Sequence, residues 1–300
     1  MNPGYDGSLF LLAFDHRGSF KSKMFGITDP GPEDVARLQA AKQLVWAGFV
    51  AAREAGLPEG AGILVDEEMG AAVARSASAA GVSFAMPVEK SGQDVFDFEY
   101  GDDFGAHIEE FDPTFSKVLV RWNPDDAPEI KAIQAERLAR LGAWLHERDR
   151  LFLFELLVPA SDRQREIVGG DLEAYDRHIR PVLMLEVIHE LRDAGVEPDI
   201  WKIEGVDSPD HCRLISEFVR SGGRERVTCV VLGRGADDAR VDHWLEAAAP
   251  VAGYGGFAIG RSIWWDAVAG WKDGTASEDD AAALIGANYR RFIDVYQNAR

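Results

Sequence analysis

LFLFELLV, residues Leu151–Val158, is a run of apolar residues broken by one carboxylate, Glu155. A short, continuous apolar run reads as a strand buried on both faces, as in parallel sheets covered by helices. Seven comparable runs surround it: Leu9–His16 (LFLLAFDH), Gly62–Glu68 (GILVDEE), Val82–Lys90 (VSFAMPVEK), Phe115–Asn123 (FSKVLVRWN), Asp199–Gly205 (DIWKIEG), Val227–Gly235 (VTCVVLGRG) and Gly256–Trp264 (GFAIGRSIW). Segments with helical spacing separate most of them, clearly at Asp34–Ala55, Pro128–Arg148, Asp176–Ala194 and Pro209–Ser221, and a last helix is expected over Ser277–Asn298. The Met69–Gly81 connection is short and Ala-rich, and Asp94–Asp112 reads as an elaborated acidic, aromatic loop. Eight alternating β and α units predict an α/β fold, a single (β/α)8 TIM barrel spanning residues 1–300. With only six or seven real strands, a doubly wound sheet would be the competing architecture.

Composition narrows the function. The formal net charge of −19 argues against nucleic acid or a membrane surface as partner, since both select basic patches. Cys212 and Cys229 are the only cysteines, so no disulfide framework or cysteine zinc site is expected. Met1–Ser8 lacks the features of a signal peptide, and no apolar stretch reaches the ~20 residues of a membrane span. A cytoplasmic protein is the expectation. Neither a G-x-G-x-x-G fingerprint after the first strand nor a Walker A loop is found, which disfavours ordinary dinucleotide enzymes and P-loop kinases.

In a barrel, the groups that do chemistry sit at the C-terminal ends of the strands, around one mouth. Here nearly every predicted strand end is charged: Asp15 and His16, Asp66, Glu89 and Lys90, Lys117 and Arg121, Glu155, Lys202 and Glu204, Arg234, and Arg261. Charges inside apolar strands are costly unless paired or used. Lys202 lies between Trp201 and Ile203, and desolvation there favours the neutral, nucleophilic amine. Glu204 shares its strand face, so a structural Lys–Glu pair at the rim is the competing reading. Glu155 is expected to have a raised pKa and to suit acid/base work, or else to partner Lys117 or Lys202. Lys117 and Arg121 share a face, which points both into the mouth or both outward. Gly233–Arg234–Gly235 and Gly260–Arg261 end the last two strands, a frequent place for phosphate in barrels. Asp66–Glu68 could bear a metal, but of seven histidines only His16 falls at a strand end, so neither metal nor cofactor is expected.

The segments LAFDHRG, LVDEEMG, VEKSGQD, KVLVRWNPD, FLFELLVP, DIWKIEG, LGRGA and GFAIGRSIW, in this order from about Leu9 to Trp265, resemble the strand ends of the tagatose-1,6-bisphosphate aldolase group of class I barrels. They look closer still to the aldolase-type domain often fused behind 5-dehydro-2-deoxygluconokinase in inositol catabolism. The resemblance implies Lys202 as Schiff-base lysine, Glu155 as acid/base, Lys117 as a substrate-orienting neighbour that lowers the Lys202 pKa by like-charge repulsion, and Asp15 and His16 beside the substrate carbonyl and hydroxyls. It also implies Gly233, Gly235, Gly260 and Arg261 as the phosphate site. The chain departs from the tagatose enzymes at His16, where they commonly have glutamine, and at Arg234, where they have a small residue.

The expected activity is therefore lyase chemistry on a phosphorylated keto sugar acid, 5-dehydro-2-deoxygluconate 6-phosphate. Arg121 or Arg234 would hold its carboxylate, and Glu204 would stand near the substrate. Competing readings are the same chemistry on tagatose 1,6-bisphosphate or a sulfo-sugar phosphate, and a non-catalytic sugar-phosphate sensor. Trp264, Trp265, Trp271 and Phe292 read as core or as the face of a homo-oligomer.

Overall fold

Each of the eight apolar runs forms a strand, and hydrogen bonding between the first and the last closes the sheet. A computed structural model describes residues 3–300. Its strands are β1 (Leu9–Ala13), β2 (Ala61–Leu64), β3 (Phe84–Pro87), β4 (Phe115–Arg121), β5 (Leu151–Leu157), β6 (Ile200–Glu204), β7 (Thr228–Leu232) and β8 (Tyr254–Ile259). They follow sequence order around a closed barrel, all parallel, with β1 paired to both β2 and β8. This is a (β/α)8 TIM barrel. Its helices are α1 (Pro32–Glu54), α2 (Glu67–Ala79), α3 (Phe104–Phe111), α4 (Pro128–His146), α5 (Asp162–Ile167), α6 (Leu172–Ala174), α7 (Arg180–Asp193), α8 (Pro209–Arg220), α9 (Asp238–Ala248), α10 (Arg261–Lys272) and α11 (Glu278–Ala299).

The two-residue period of a strand sorts the side chains into two cores. One set fills the barrel interior: Leu9, Leu11, Ala13, Leu64, Ala85, Phe115, Leu153, Ile200, Val230 and Ala258. Tyr5 lies against this floor, its ring edge-on to Phe115 at 5.2 Å. The other set, including Phe154, Trp201 and Ile203, packs outward under the helices. Lys117, Glu155 and Lys202 each lie two residues beyond an interior residue (Phe115, Leu153 and Ile200) and therefore continue the interior stack upward. An apolar layer floors the barrel, and a charged layer stands on it.

The last helix seals the seam between β8 and β1. Tyr289 of α11 donates to the carbonyl of Phe10, and Tyr296 donates to that of Tyr254 at 2.9 Å. α11 lies close on α1 because two glycines meet there. A Cβ on Gly48 would come within 2.7 Å of Ile285, and one on Gly286 within 2.9 Å of the Gly48 carbonyl. Trp264 and Phe292 are fully buried core, and Trp265 and Trp271 pack partly buried against it.

Two expectations need correction. The second half of Asp94–Asp112 is not loop: a 3-10 turn at Gly101–Asp103 leads into α3. Phe104 and Ile108, four residues apart, give that segment a buried helical stripe, with Phe98 stacked on Phe104. The strands are also shorter at their C-terminal ends than the apolar runs suggest. Asp15 and His16 follow β1, Glu89 and Lys90 follow β3, Arg234 follows β7, and Arg261 opens α10. Among the described residues, no helix is long and apolar enough to cross a membrane.

Candidate active site

Over the charged layer lies a cavity of about 380 Å³ whose wall includes Asp15, His16, Arg17, Glu89, Lys117, Arg121, Glu155, Lys202, Gly233, Arg234, Gly235, Gly260 and Arg261. Residues far apart in sequence thus converge because their strands end on one rim. Of the sequence candidates, Glu204 does not line this cavity, and neither do Asp66, Glu67 and Glu68.

At the centre, register places Glu155 beside Lys202. Glu155 Oε2 is 2.9 Å from Lys202 Nζ and 3.0 Å from Lys117 Nζ. Lys117 Nζ also donates to Asp15 Oδ2 at 2.8 Å and to Glu89 Oε1 at 3.0 Å. All of these groups are buried or nearly so; Lys202 is 2% exposed and Lys117 1%. Unpaired charges at such depth are prohibitive, so the alternation of sign is what permits the cluster.

The charges set one another's protonation. Burial opposes the charge on Lys117, but Asp15, Glu155 and Glu89 outweigh it and hold the ammonium well above the usual lysine range. Burial likewise opposes ionisation of Asp15, and Lys117 and Lys202 outweigh it, so its carboxyl sits well below the usual range. Glu155 behaves in the same way, which corrects the expectation of a raised pKa. Burial does push it up, but the ammonium groups of Lys117 and Lys202, on the two adjacent strands, pull it below normal. It is an ionised carboxylate, a base in its resting form. Glu89 is raised by burial, which Lys117 and Arg17 only partly offset. Burial brings His16 down to about 4, so it is a neutral imidazole near pH 7.

Glu204 takes a different role from the one its spacing suggests. It accepts from the Val158 backbone N–H at 2.9 Å and pairs with Arg234 Nε at 3.0 Å and, more loosely, with Arg180 at 3.8 Å. Lys202 turns instead to Glu155 on β5. Arg234 is also bound by Asp176 Oδ2 at 2.6 Å. Its guanidinium is therefore neutralised twice over, although it borders the cavity. Its backbone is left-handed, with φ of 53°, followed by Gly235 at 70°.

Arg261 contrasts with it. Its Nη2 donates to the Arg234 carbonyl at 3.0 Å, and among the described residues no carboxylate lies within salt-bridge reach. It opens α10 directly behind Gly260, which has no side chain to cap the helix. A Cβ on Gly260 would come within 2.3 Å of the Ala13 carbonyl. Glycine there lets β8 and the end of β1 approach closely beside a helix N-terminus, a geometry suited to an anion. Across the mouth, Arg121 donates to the Gln93 carbonyl at 3.0 Å and has no carboxylate partner among the described residues.

Two contributors were not singled out from sequence. Glu89 was visible as a charged strand end and lies in the VEKSGQD segment, but no role was attached to it. Arg17 donates to the Glu89 carbonyl at 2.7 Å and reaches Glu89 Oε1 and Glu99 Oε2 at 3.3 Å each. Both depend on a bend of the chain after its strand, which spacing does not reveal. Asp66–Glu68, considered together above, disperses: Asp66 pairs with Lys42, Glu67 lies 3.7 Å from His107, and Glu68 bonds Lys21 at 2.7 Å.

The family model described as "Uncharacterized protein conserved in bacteria (DUF2090)" matches residues 4–300. The chain belongs to that family. No curated protein matches it in sequence. Among solved structures, a fructose-bisphosphate aldolase from Plasmodium falciparum superposes with a TM-score of 0.66 at 12% identity, covering 97% of this chain and 90% of the other. A structural genomics target from Corynebacterium glutamicum superposes with a TM-score of 0.55 at 17% identity, covering 96% and 88%. At such identities the likeness concerns the fold alone, a (β/α)8 barrel shared with the Plasmodium enzyme.

Proposed function

We propose that the chain is a class I aldolase that forms its Schiff base on Lys202. The observation that supports this reading is a single oxygen, Glu155 Oε2, shared by Lys202 Nζ and Lys117 Nζ within 3.0 Å at the floor of the mouth. A nucleophilic lysine needs a desolvated setting and a neighbouring base, and the pair supplies both. The substrate class is a phosphorylated keto sugar acid, 5-dehydro-2-deoxygluconate 6-phosphate. The unpaired Arg261 and the Gly260 backbone suit its phosphate, and Arg121 suits its carboxylate, because Arg234 is already occupied by Asp176 and Glu204.

The chemistry runs as follows. Lys202 passes a proton to Glu155 and attacks the ketone carbon; loss of water, protonated in the cluster, leaves an iminium. The iminium is an electron sink. Glu155, ionised again, removes the proton of the hydroxyl on the β carbon, and the bond between the α and β carbons breaks. Malonate semialdehyde leaves, and its bonding pair stays as an enamine. Protonation at carbon and hydrolysis release dihydroxyacetone phosphate and regenerate the amine. Lys117 remains charged throughout and orients substrate oxygens. Its repulsion of Lys202 is offset by the carboxylates around it, so we assign it positioning of Asp15 and Glu155.

Incubation with dihydroxyacetone phosphate, borohydride reduction and peptide mass spectrometry tests the reading. One adduct on Lys202 is expected. A protein that binds the ligand but yields no adduct would be a sensor instead, and release of glyceraldehyde 3-phosphate from tagatose 1,6-bisphosphate in preference would change the substrate.

A further inference from the structure

Behind the mouth lies a lysine that the chemistry above does not use. Lys42, in the middle of α1, is completely buried. Its Nζ donates to the Asp66 carboxylate and to the Phe14 carbonyl, and to the His16 carbonyl at 3.0 Å. The ammonium also lies over the Phe20 ring, 4.6 Å from its centroid. The other oxygen of Asp66 caps α2 by accepting from the Met69 N–H at 2.8 Å.

Burying a lysine is costly, and an apolar residue would fill the same space more cheaply. What an apolar residue cannot do is satisfy backbone. β1 ends at Ala13, and the chain beyond it bends away from the sheet while still buried. Buried carbonyls need donors. Trp264 Nε1 donates to the Ala13 carbonyl at 2.9 Å, and Lys42 donates to those of Phe14 and His16. The two carbonyls held by Lys42 belong to the residues immediately before and after Asp15.

We propose that Lys42 is a positioning residue for the active site. It fixes the Phe14–Asp15 and His16–Arg17 peptide units, which bracket Asp15 and His16, and so sets the Asp15 carboxylate 2.8 Å from Lys117 Nζ. Asp66 holds the ammonium in place and ties it to the start of α2. The link runs from the outer helix layer to the charged layer through backbone, with no side chain of the pair entering the cavity. Its effect on Schiff-base chemistry rests on the aldolase reading above; its effect on the segment after β1 does not.

The test uses Lys42→Met combined with Asp66→Asn, which strands no charge and keeps the α2 cap, and Asp66→Asn alone, which keeps the ammonium and its carbonyl bonds. Two quantities are read: amide hydrogen exchange over residues 14–19, and the rate of borohydride-trapped adduct formation with dihydroxyacetone phosphate. In the double variant, exchange is expected to quicken and trapping to slow by roughly 10-fold or more, since small misplacements of reacting groups have effects of that size. Asp66→Asn alone leaves the buried ammonium without its carboxylate and should lower global stability, but it should lose much less of both quantities. Wild-type exchange in the double variant overturns the proposal, and so does an equal loss in Asp66→Asn, which would mark a pair serving stability alone. If the double variant does not fold, Lys42→Gln with Asp66→Asn retains one donor, and an intermediate change is expected; no change overturns the proposal. Absence of an adduct in the wild type would sink the aldolase reading, while the exchange comparison still decides the clamp.

Discussion

Lys117 and Lys202 stand on neighbouring regions of one wall, β4 and β6, on either side of Glu155, and yet their surroundings differ. Lys117 has three carboxylates within 3.0 Å, from Asp15, Glu89 and Glu155. Lys202 has one, and shares it. A lysine held by three anions is fixed as an ammonium and acts as a strut. A lysine with one shared partner can give up its proton to that partner and still leave a balanced cluster behind. The number of anions, more than depth of burial, separates the structural cation from the lysine proposed as nucleophile.

The comparison breaks most visibly if the two lysines are exchanged in role. Lys202→Met should abolish the borohydride adduct and turnover, with little loss of folding, because Lys117 still neutralises Glu155. Lys117→Met leaves the Asp15 carboxylate without its cation and takes one of two from Glu89 and from Glu155, and should destabilise the fold by about 3–5 kcal/mol in chemical denaturation. If Lys202→Met proves the less stable of the two, or Lys117 carries the adduct, the assignment of roles is wrong. Glu155→Gln comes next. It removes the shared base and should lower turnover by roughly 10²–10⁴-fold. Because Glu155 is ionised from below its usual range, its titration should place no acid limb on the wild-type rate above about pH 5; a limb there that Glu155→Gln abolishes would contradict the site.

A smaller effect sharpens the same contrast between paired and unpaired cations at the last two strands. Arg261→Ala should weaken phosphate-bearing ligands by roughly 10-fold or more in KM or Kd, as expected for a lost charge-assisted contact. Arg234→Ala should weaken them less, since Asp176 and Glu204 already occupy it, and should instead lower the melting temperature. Equal effects on binding would put the phosphate between the two.

The smallest effect lies beyond Arg17, at the edge of the carboxylate-rich side. Burial pushes Glu67 from 4.5 up to about 7, and one of its oxygens has no hydrogen-bond partner. A carboxyl raised in the folded state stabilises at low pH, and that contribution is lost as the pH rises towards 7. Glu67→Gln should therefore gain melting temperature over the wild type by more at pH 7.5 than at pH 5, by a few degrees. A pH-independent difference would show that Glu67 titrates normally.

Much of this molecule is legible in its sequence. The eight strands are, because continuous apolar runs with charged ends have few other fates. So are Lys202, Glu155 and Lys117, since a charge inside such a run stands out and the two-residue period assigns it to the interior. What stays hidden depends on neighbours in space. Glu155 was expected to be protonated more easily than usual, because its own strand is apolar; the two lysines that reverse this lie on other strands. Glu204 was expected at the mouth, but the Val158 amide and Arg234 claim it. Lys42 gave no signal at all, as a lysine in the middle of a helix is usually solvated, and only the bend after β1 makes it a donor to backbone.

The seal made by α11 bears on how the chain is synthesised. Tyr289 bonds a carbonyl 279 residues earlier, in β1. While translation proceeds, β1 has its β2 neighbour but lacks β8, and the growing sheet presents unpaired edges at both sides. Such edges invite association with other chains. Closure waits for β8 and for the two tyrosines behind it, so the ribosome must deliver the chain as far as Tyr296 before the first strand is protected. Truncation within α11 should thus yield an aggregating product even though every strand and every residue of the mouth is intact.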